Sequence, residues 1–275
     1  MREPHRPSGH GGFRSGAVQC VSTYGSGPNR AMMRQLDCSS FETALRSLAN
    51  SLCIEEGDLR ARLVRNKPDA GFKADLRRWS YEDLVLERCD LECVVPDSVV
   101  WFHGTRVPPE TTFSDGLLPL ASCIERLQAV VTEIADSLAI PEGVGSASPS
   151  FCMKLQRLPL QGPNGSLLRD AVLRPKRPQR DFLRSPEIVD DLAEERGGER
   201  FGEIVAEYRR RTKSCIVTFQ SREPRVDVVK QALAYCHGSL HGQDEPTHWN
   251  TCFNGGGRPV LASDILKVEW LAERR

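Results

Sequence analysis

The run Val99-Val100-Trp101-Phe102-His103-Gly104-Thr105 constrains this chain more than any other segment. β-branched and aromatic residues follow one another there, with a turn at Pro96-Asp97-Ser98 before them and a glycine near their end, which predicts a buried strand. Ser214-Cys215-Ile216-Val217-Thr218-Phe219 is a second such run, and Ile265–Leu271 closes the chain as a third. Trp249–Phe253 and Phe151–Leu158 are weaker strand segments. Elsewhere the apolar residues step by three and four, as in Phe41/Leu45/Leu48/Leu52, Ile124/Leu127/Val131/Ile134/Leu138, Phe201/Ile204/Tyr208 and Val229/Leu233/Cys236. These predict helices, one with a serine cap before Phe41, another begun by Ser185-Pro186-Glu187. Shorter helices are expected over Glu56–Val64 and Trp79–Leu86, with a turn at Asn66–Gly71 between them. Strands this few and this unevenly spaced exclude a regular βαβ series. The fold class is α+β.

Residues 1–30 hold glycine, serine, proline and arginine and little to bury, so they read as a disordered basic tail. Residues 31–90 form a small helical region, and 91–275 hold the strands. Of the 275 residues 39% are hydrophobic, enough for a packed core, yet no apolar run is long enough for a membrane span. Lys plus Arg equals Asp plus Glu at 37 each, so no global field draws in nucleic acid. The acids of Glu187–Glu207 are followed by Arg209, Arg210, Arg211 and Lys213, a solvated helix with a basic end. Arg174–Arg184 reads as an exposed basic loop. The ten cysteines include no C-x-x-C pair, and no apolar leader precedes them, so they are expected reduced, cytoplasmic and mostly small core residues.

The chemistry concentrates in Trp101-Phe102-His103-Gly104-Thr105-Arg106, followed by Phe113-x-x-Gly116-Leu117-x-Pro119. A histidine at the end of a buried strand is half sheltered and can be held in one tautomer. Gly104 lets a flat ligand approach the backbone. Thr105 adds a hydroxyl, and Arg106 suits a phosphate. The plainer reading is a strand that ends at glycine beside a hydrogen-bonded surface histidine.

This segment resembles the first signature of the ADP-ribosyltransferases, in particular the diphtheria-toxin and poly-ADP-ribose-polymerase branch, over about twenty residues. The resemblance implies a split two-sheet core over residues 91–275 that binds NAD as co-substrate. It implies transfer of ADP-ribose to an acceptor (protein, nucleic acid or small molecule) with release of nicotinamide. His103 would then hold the nicotinamide-side ribose, and Gly104 and Thr105 the amide side. The family's stacking tyrosine falls on Tyr235, in a Lys230–His237 segment similar to the polymerase helix, with Tyr208 earlier in the chain. Its catalytic glutamate position falls on Asn250 or Thr251, with Asp244 and Glu245 just upstream, and Glu269 in the closing strand, where it is expected to face solvent. Glu245, or else Asn250, is therefore expected at the point where positive charge develops as the nicotinamide–ribose bond breaks.

Other readings stand beside it. A non-catalytic module for NAD, ADP-ribose or nucleic acid would keep the same fold, with Asn250 in place of the acid and Arg174–Arg184 available to a phosphate-bearing partner. Cys236, His237, His241 and His248 have the residue types of a zinc site but no second cysteine pair. A cysteine–histidine hydrolase has its residue types but no recognised nucleophile context.

Overall fold

The computed structural model describes residues 33–142, 149–176, 181–223, 225–243 and 246–272. The basic tail, Asp244 and Glu245 lie outside the described residues, as does part of the Arg174–Arg184 stretch.

Strands β1 (Gln35–Leu36), β2 (Ser98–Val107), β3 (Asn164–Ser166), β4 (Lys213–Ser221), β5 (Cys252–Asn254) and β6 (Ile265–Trp270) share one sheet. Its order is β5-β3-β2-β4-β6, antiparallel throughout, and β1 lies parallel to the start of β2. The two-sheet arrangement is thus corrected: the described strands make a single sheet. Its reason is the long β2–β4 ladder, from Val99↔Ser221 to Val107↔Lys213, which joins the β3–β5 side to the β6 side without a break. β2 also runs on through Gly104 and Thr105 to Val107, where an end near Gly104 was expected.

Successive side chains of a strand face opposite ways. Val99 and Trp101 therefore share a face with Cys215, Val217 and Phe219, while Val100, Phe102 and Ile216 share the other. On the first face pack helices α1 (Phe41–Ser51), α2 (Glu56–Arg65), α3 (Ala70–Asp75) and α4 (Tyr81–Arg88). Their Leu45, Leu48, Leu59, Leu63, Phe72 and Leu84 enter the same core as Trp101, so residues 33–90 have no separate core of their own. Ser40, Asp69 and Ser80 accept from the backbone N–H three residues on, and cap α1, α3 and α4. Each such cap contributes about 1 kcal/mol.

The chain between β2 and β4 holds α5 (Leu120–Ser137), α6 (Pro149–Gln156), α7 (Arg169–Leu173), α8 (Glu187–Gly197) and α9 (Phe201–Arg211). α5, α6, α8 and α9 pack around a second core of Val131, Ile134, Phe151, Leu192 and Ile204. Phe151–Leu158, expected as a strand, is helical to Gln156. Only Phe151 of that segment is buried, and Lys154 ties it to Glu187 and Asp191 of α8. Finally α10 (Asp227–Leu240) returns to the first face and buries Val229, Leu233 and Tyr235 there.

Candidate functional site

His103 lies in the middle of β2 opposite Val217, on the face of Trp101. Its Nδ1 is 2.6 Å from the carbonyl oxygen of Asn164, at the start of β3. A carbonyl only accepts, so Nδ1 carries the proton and the Nε2 lone pair is left as an acceptor. Burial holds the imidazole below the ordinary histidine range, against the opposing effect of the Asn164 bond, so the ring is neutral near pH 7. The residue is half-buried, and Nε2 has no hydrogen-bond partner among the described residues. Two positions on, Thr105 presents its side chain to the same face, beside Cys215, and its hydroxyl is also without a partner among the described residues. The structure thus brings together a fixed acceptor and a hydroxyl roughly 7 Å apart along the strand.

The other expected members of the site are placed differently. Gly104 faces the opposite side of the sheet, where an added Cβ would stand 2.6 Å from Val172 Cγ1 and 3.3 Å from Leu183 Cδ2. That side is filled by the protein's own side chains, so the glycine admits Val172 and not a flat ligand. Arg106 is buried, and its guanidinium donates to the carbonyls of Leu183, Arg209 and Thr212 and to the Thr212 hydroxyl. Tyr208 donates its hydroxyl back to the Arg106 carbonyl at 2.9 Å. The cation therefore caps the C-terminal end of α9 and joins the second core to the sheet, in place of the expected phosphate.

Gly116 and Leu117, the second half of the motif, also have packing reasons. Leu117 bridges to Val260, and Gly116 has φ +79°, with a Cβ there meeting the Val260 carbonyl at 2.0 Å. Both conformation and space require glycine.

Tyr235 is buried in α10, and its ring makes no stacking contact among the described residues. Burial, with Asp170, Cys236 and Cys38 nearby, raises its hydroxyl well above the usual tyrosine range. Asn250 precedes β5, and its Oδ1 accepts the Leu168 backbone N–H at 3.0 Å while Nδ2 reaches Cys252 Sγ. Its amide knits β5 to the chain leaving β3. Glu269, expected at solvent, is paired with Arg169 at 2.5 Å and lies opposite Ile216, on the face away from His103. The Arg174–Arg184 stretch, expected as an exposed loop, buries Leu183 against Val100, Phe102 and Ile216.

A second polar cluster had no signal in the sequence beyond its histidines. His237 of α10 is fully buried. Its Nε2–H donates to the Asn66 carbonyl at 2.5 Å, and its Nδ1 accepts from the Tyr81 hydroxyl at 2.6 Å. Its ring stacks on Phe72 at 5.5 Å, and His241 lies 4.5 Å away with Nε2 on the Leu63 carbonyl. Burial lowers His237 to about 4 and raises Tyr81 to about 12. The partners of His237 lie 156 and 171 residues away in the chain, beyond any motif. These bonds correct the zinc reading: both His237 nitrogens are engaged, His248 Nε2 meets Lys176 Nζ, and no metal-ligating group of three occurs among the described residues. The nine described cysteines are free thiols, but only Cys38, Cys89, Cys215 and Cys236 are buried, fewer than expected. No described helix is long and apolar enough to cross a membrane.

No protein-family model, curated protein or solved structure matches this chain.

Proposed function

We propose that this chain is an ADP-ribosyltransferase, which binds NAD as co-substrate and passes ADP-ribose to an acceptor with release of nicotinamide. A cytoplasmic setting belongs to the same proposal and rests on the cysteine spacing. One observation carries the reading: the neutral His103 ring, held through Nδ1 by Asn164, with Nε2 an unpartnered acceptor. An acceptor fixed in that way suits a ribose hydroxyl, and the Thr105 hydroxyl on the same face suits the nicotinamide side.

The breaking bond develops positive charge on the ribose, which a carboxylate stabilises. Asn250 carries no charge and its amide oxygen is engaged by Leu168, and Glu269 is paired with Arg169 on the other face. The proposal keeps Glu245 for this role. Protein, nucleic acid and small molecule all stay open as acceptor.

A second reading has a specific observation behind it. Asn250, at the family's acid position, serves the β3–β5 framework, which favours a module that holds NAD or ADP-ribose without turnover. Titration calorimetry with NAD on the wild type and on His103→Ala tests the shared part. Binding by the wild type and at least tenfold weaker binding by the variant are expected, and equal affinity would overturn the site. Nicotinamide release then separates the two readings. Transfer abolished by Glu245→Gln supports the enzyme, and tight binding without release supports the module.

A further inference from the structure

The segment from the end of α2 to the turn after α3 carries five cations, Arg65, Lys67, Lys73, Arg77 and Arg78, all exposed. None of these side chains has an ion-pair or hydrogen-bond partner among the described residues. The two acids of the stretch are engaged. Asp75 pairs with Arg88 of α4 at 2.8 Å, and Asp69 caps Phe72 N while lying 3.8 Å from the same arginine. Beside the cations stand two exposed apolar side chains, Trp79 at 50% and Leu76 at 39%. An indole half in water directly after two arginines is unusual, because burying it would remove much apolar surface.

The backbone that carries these groups is pinned to the core. The Asn66 carbonyl is held by His237 Nε2, Phe72 is buried and stacked on the His237 ring, and Tyr81 closes the segment on His237 Nδ1. Arg88 lies 5.3 Å from the Phe72 ring and holds Asp75. The bonds Leu76 N to Phe72 O and Arg77 N to Ala74 O continue the turn past α3, so Lys73 and Arg77 lie about one turn apart on one side. The cations and Trp79 therefore project from a fixed frame, which lowers the ordering cost of a bound polyanion.

We propose that this surface, Arg65 to Trp79, binds a single-stranded nucleic acid, its phosphates on the cations and a base stacked on Trp79. Sequence-independent single-strand binding needs this pairing of cations with an exposed aromatic face. An anionic membrane fits less well. α3 has six residues, its Phe72 faces inward, and only Leu76 and Trp79 are left to enter the lipid. The inference does not rest on the NAD reading.

Fluorescence anisotropy of a labelled oligo-dT strand, titrated with the full chain at about 50 mM and about 200 mM salt, tests it. The wild type is expected to bind with affinity falling steeply as salt rises. The triple variant Lys73→Gln/Arg77→Gln/Arg78→Gln should lose at least about tenfold at the lower salt, with the log–log salt slope shallower by about 2. Trp79→Ala should lose about fivefold or more with the slope unchanged, and a wild-type preference for the single strand over a duplex should vanish with it. All four residues are exposed, so thermal melts of the variants should match the wild type. No binding at the lower salt, a triple variant that binds as the wild type does, or binding to phosphatidylserine vesicles but not to the oligonucleotide would each overturn the proposal.

Discussion

His237 and His103 differ in what the fold leaves undone. His237 is fully buried and both ring nitrogens are engaged, by Asn66 and Tyr81. His103 is half-buried and only Nδ1 is engaged, by Asn164. Both are held neutral by burial, so a lowered proton affinity does not distinguish them. The unpartnered Nε2 does. A ring whose every polar atom is matched within the chain fastens the chain to itself. A ring with one lone pair left over can act on something else.

The largest expected effect follows from that contrast. His237→Ala removes the stack on Phe72 and leaves the Tyr81 hydroxyl and the Asn66 carbonyl without a partner. A cavity and two stranded polar groups together cost about 3–5 kcal/mol, measured as a lowered urea midpoint. A loss below about 1 kcal/mol would show that the cluster is loosely packed and that the contrast fails.

Acid sharpens the same comparison. His237 titrates at about 4 in the folded chain and near 6.5 in an unfolded one. Between those values the unfolded chain binds more protons, so the stabilisation is complete above about pH 6.5 and is lost as pH falls toward 4. The shift corresponds to roughly 3 kcal/mol at most. His103 shifts in the same direction, so both contribute to the acid limb. Urea midpoints between about pH 7 and about pH 4.5 should fall steeply in the wild type and less steeply in His237→Gln. Parallel slopes in the two proteins would place the acid sensitivity elsewhere.

The contrast was only half visible in the sequence. The strand runs around Val99–Thr105 and Cys215–Phe219 were legible because β-branched and aromatic residues dominate them, and both became central strands. The helices at Phe41, Ile124, Phe201 and Val229 were legible through their three- and four-residue steps. α3 was missed because Asn66–Gly71 has the composition of a turn, yet Asp69 within it caps a helix. The site suffered most, since its partners are distant in the chain. Arg106 has the look of a phosphate ligand until the carbonyls of Arg209 and Thr212, more than a hundred residues on, take up its donors. Gly104 has the look of an open backbone until Val172 and Leu183 cover it. Residue type can announce a chemistry, but only the fold decides whether that chemistry is already occupied.

Gly104→Ala tests that occupation directly. The new methyl would press on Val172 Cγ1 at 2.6 Å and Leu183 Cδ2 at 3.3 Å. Overpacking of this kind costs about 1–3 kcal/mol. The shorter Val172→Ala, added to Gly104→Ala, should restore part of the lost stability by making room. No recovery in the double variant would mean that the strand itself resists the side chain.

The smallest expected effect falls on the residue with the largest proposed role. His103→Ala removes one hydrogen bond, to a carbonyl of the exposed Asn164 that water can reach. The stability cost should be about 1 kcal/mol, a typical net value for such a bond. A midpoint shift as large as that of His237→Ala would make His103 a second fastening of the fold. A small shift joined to a loss of NAD affinity would leave binding as the reason for an unmatched nitrogen at the centre of the sheet.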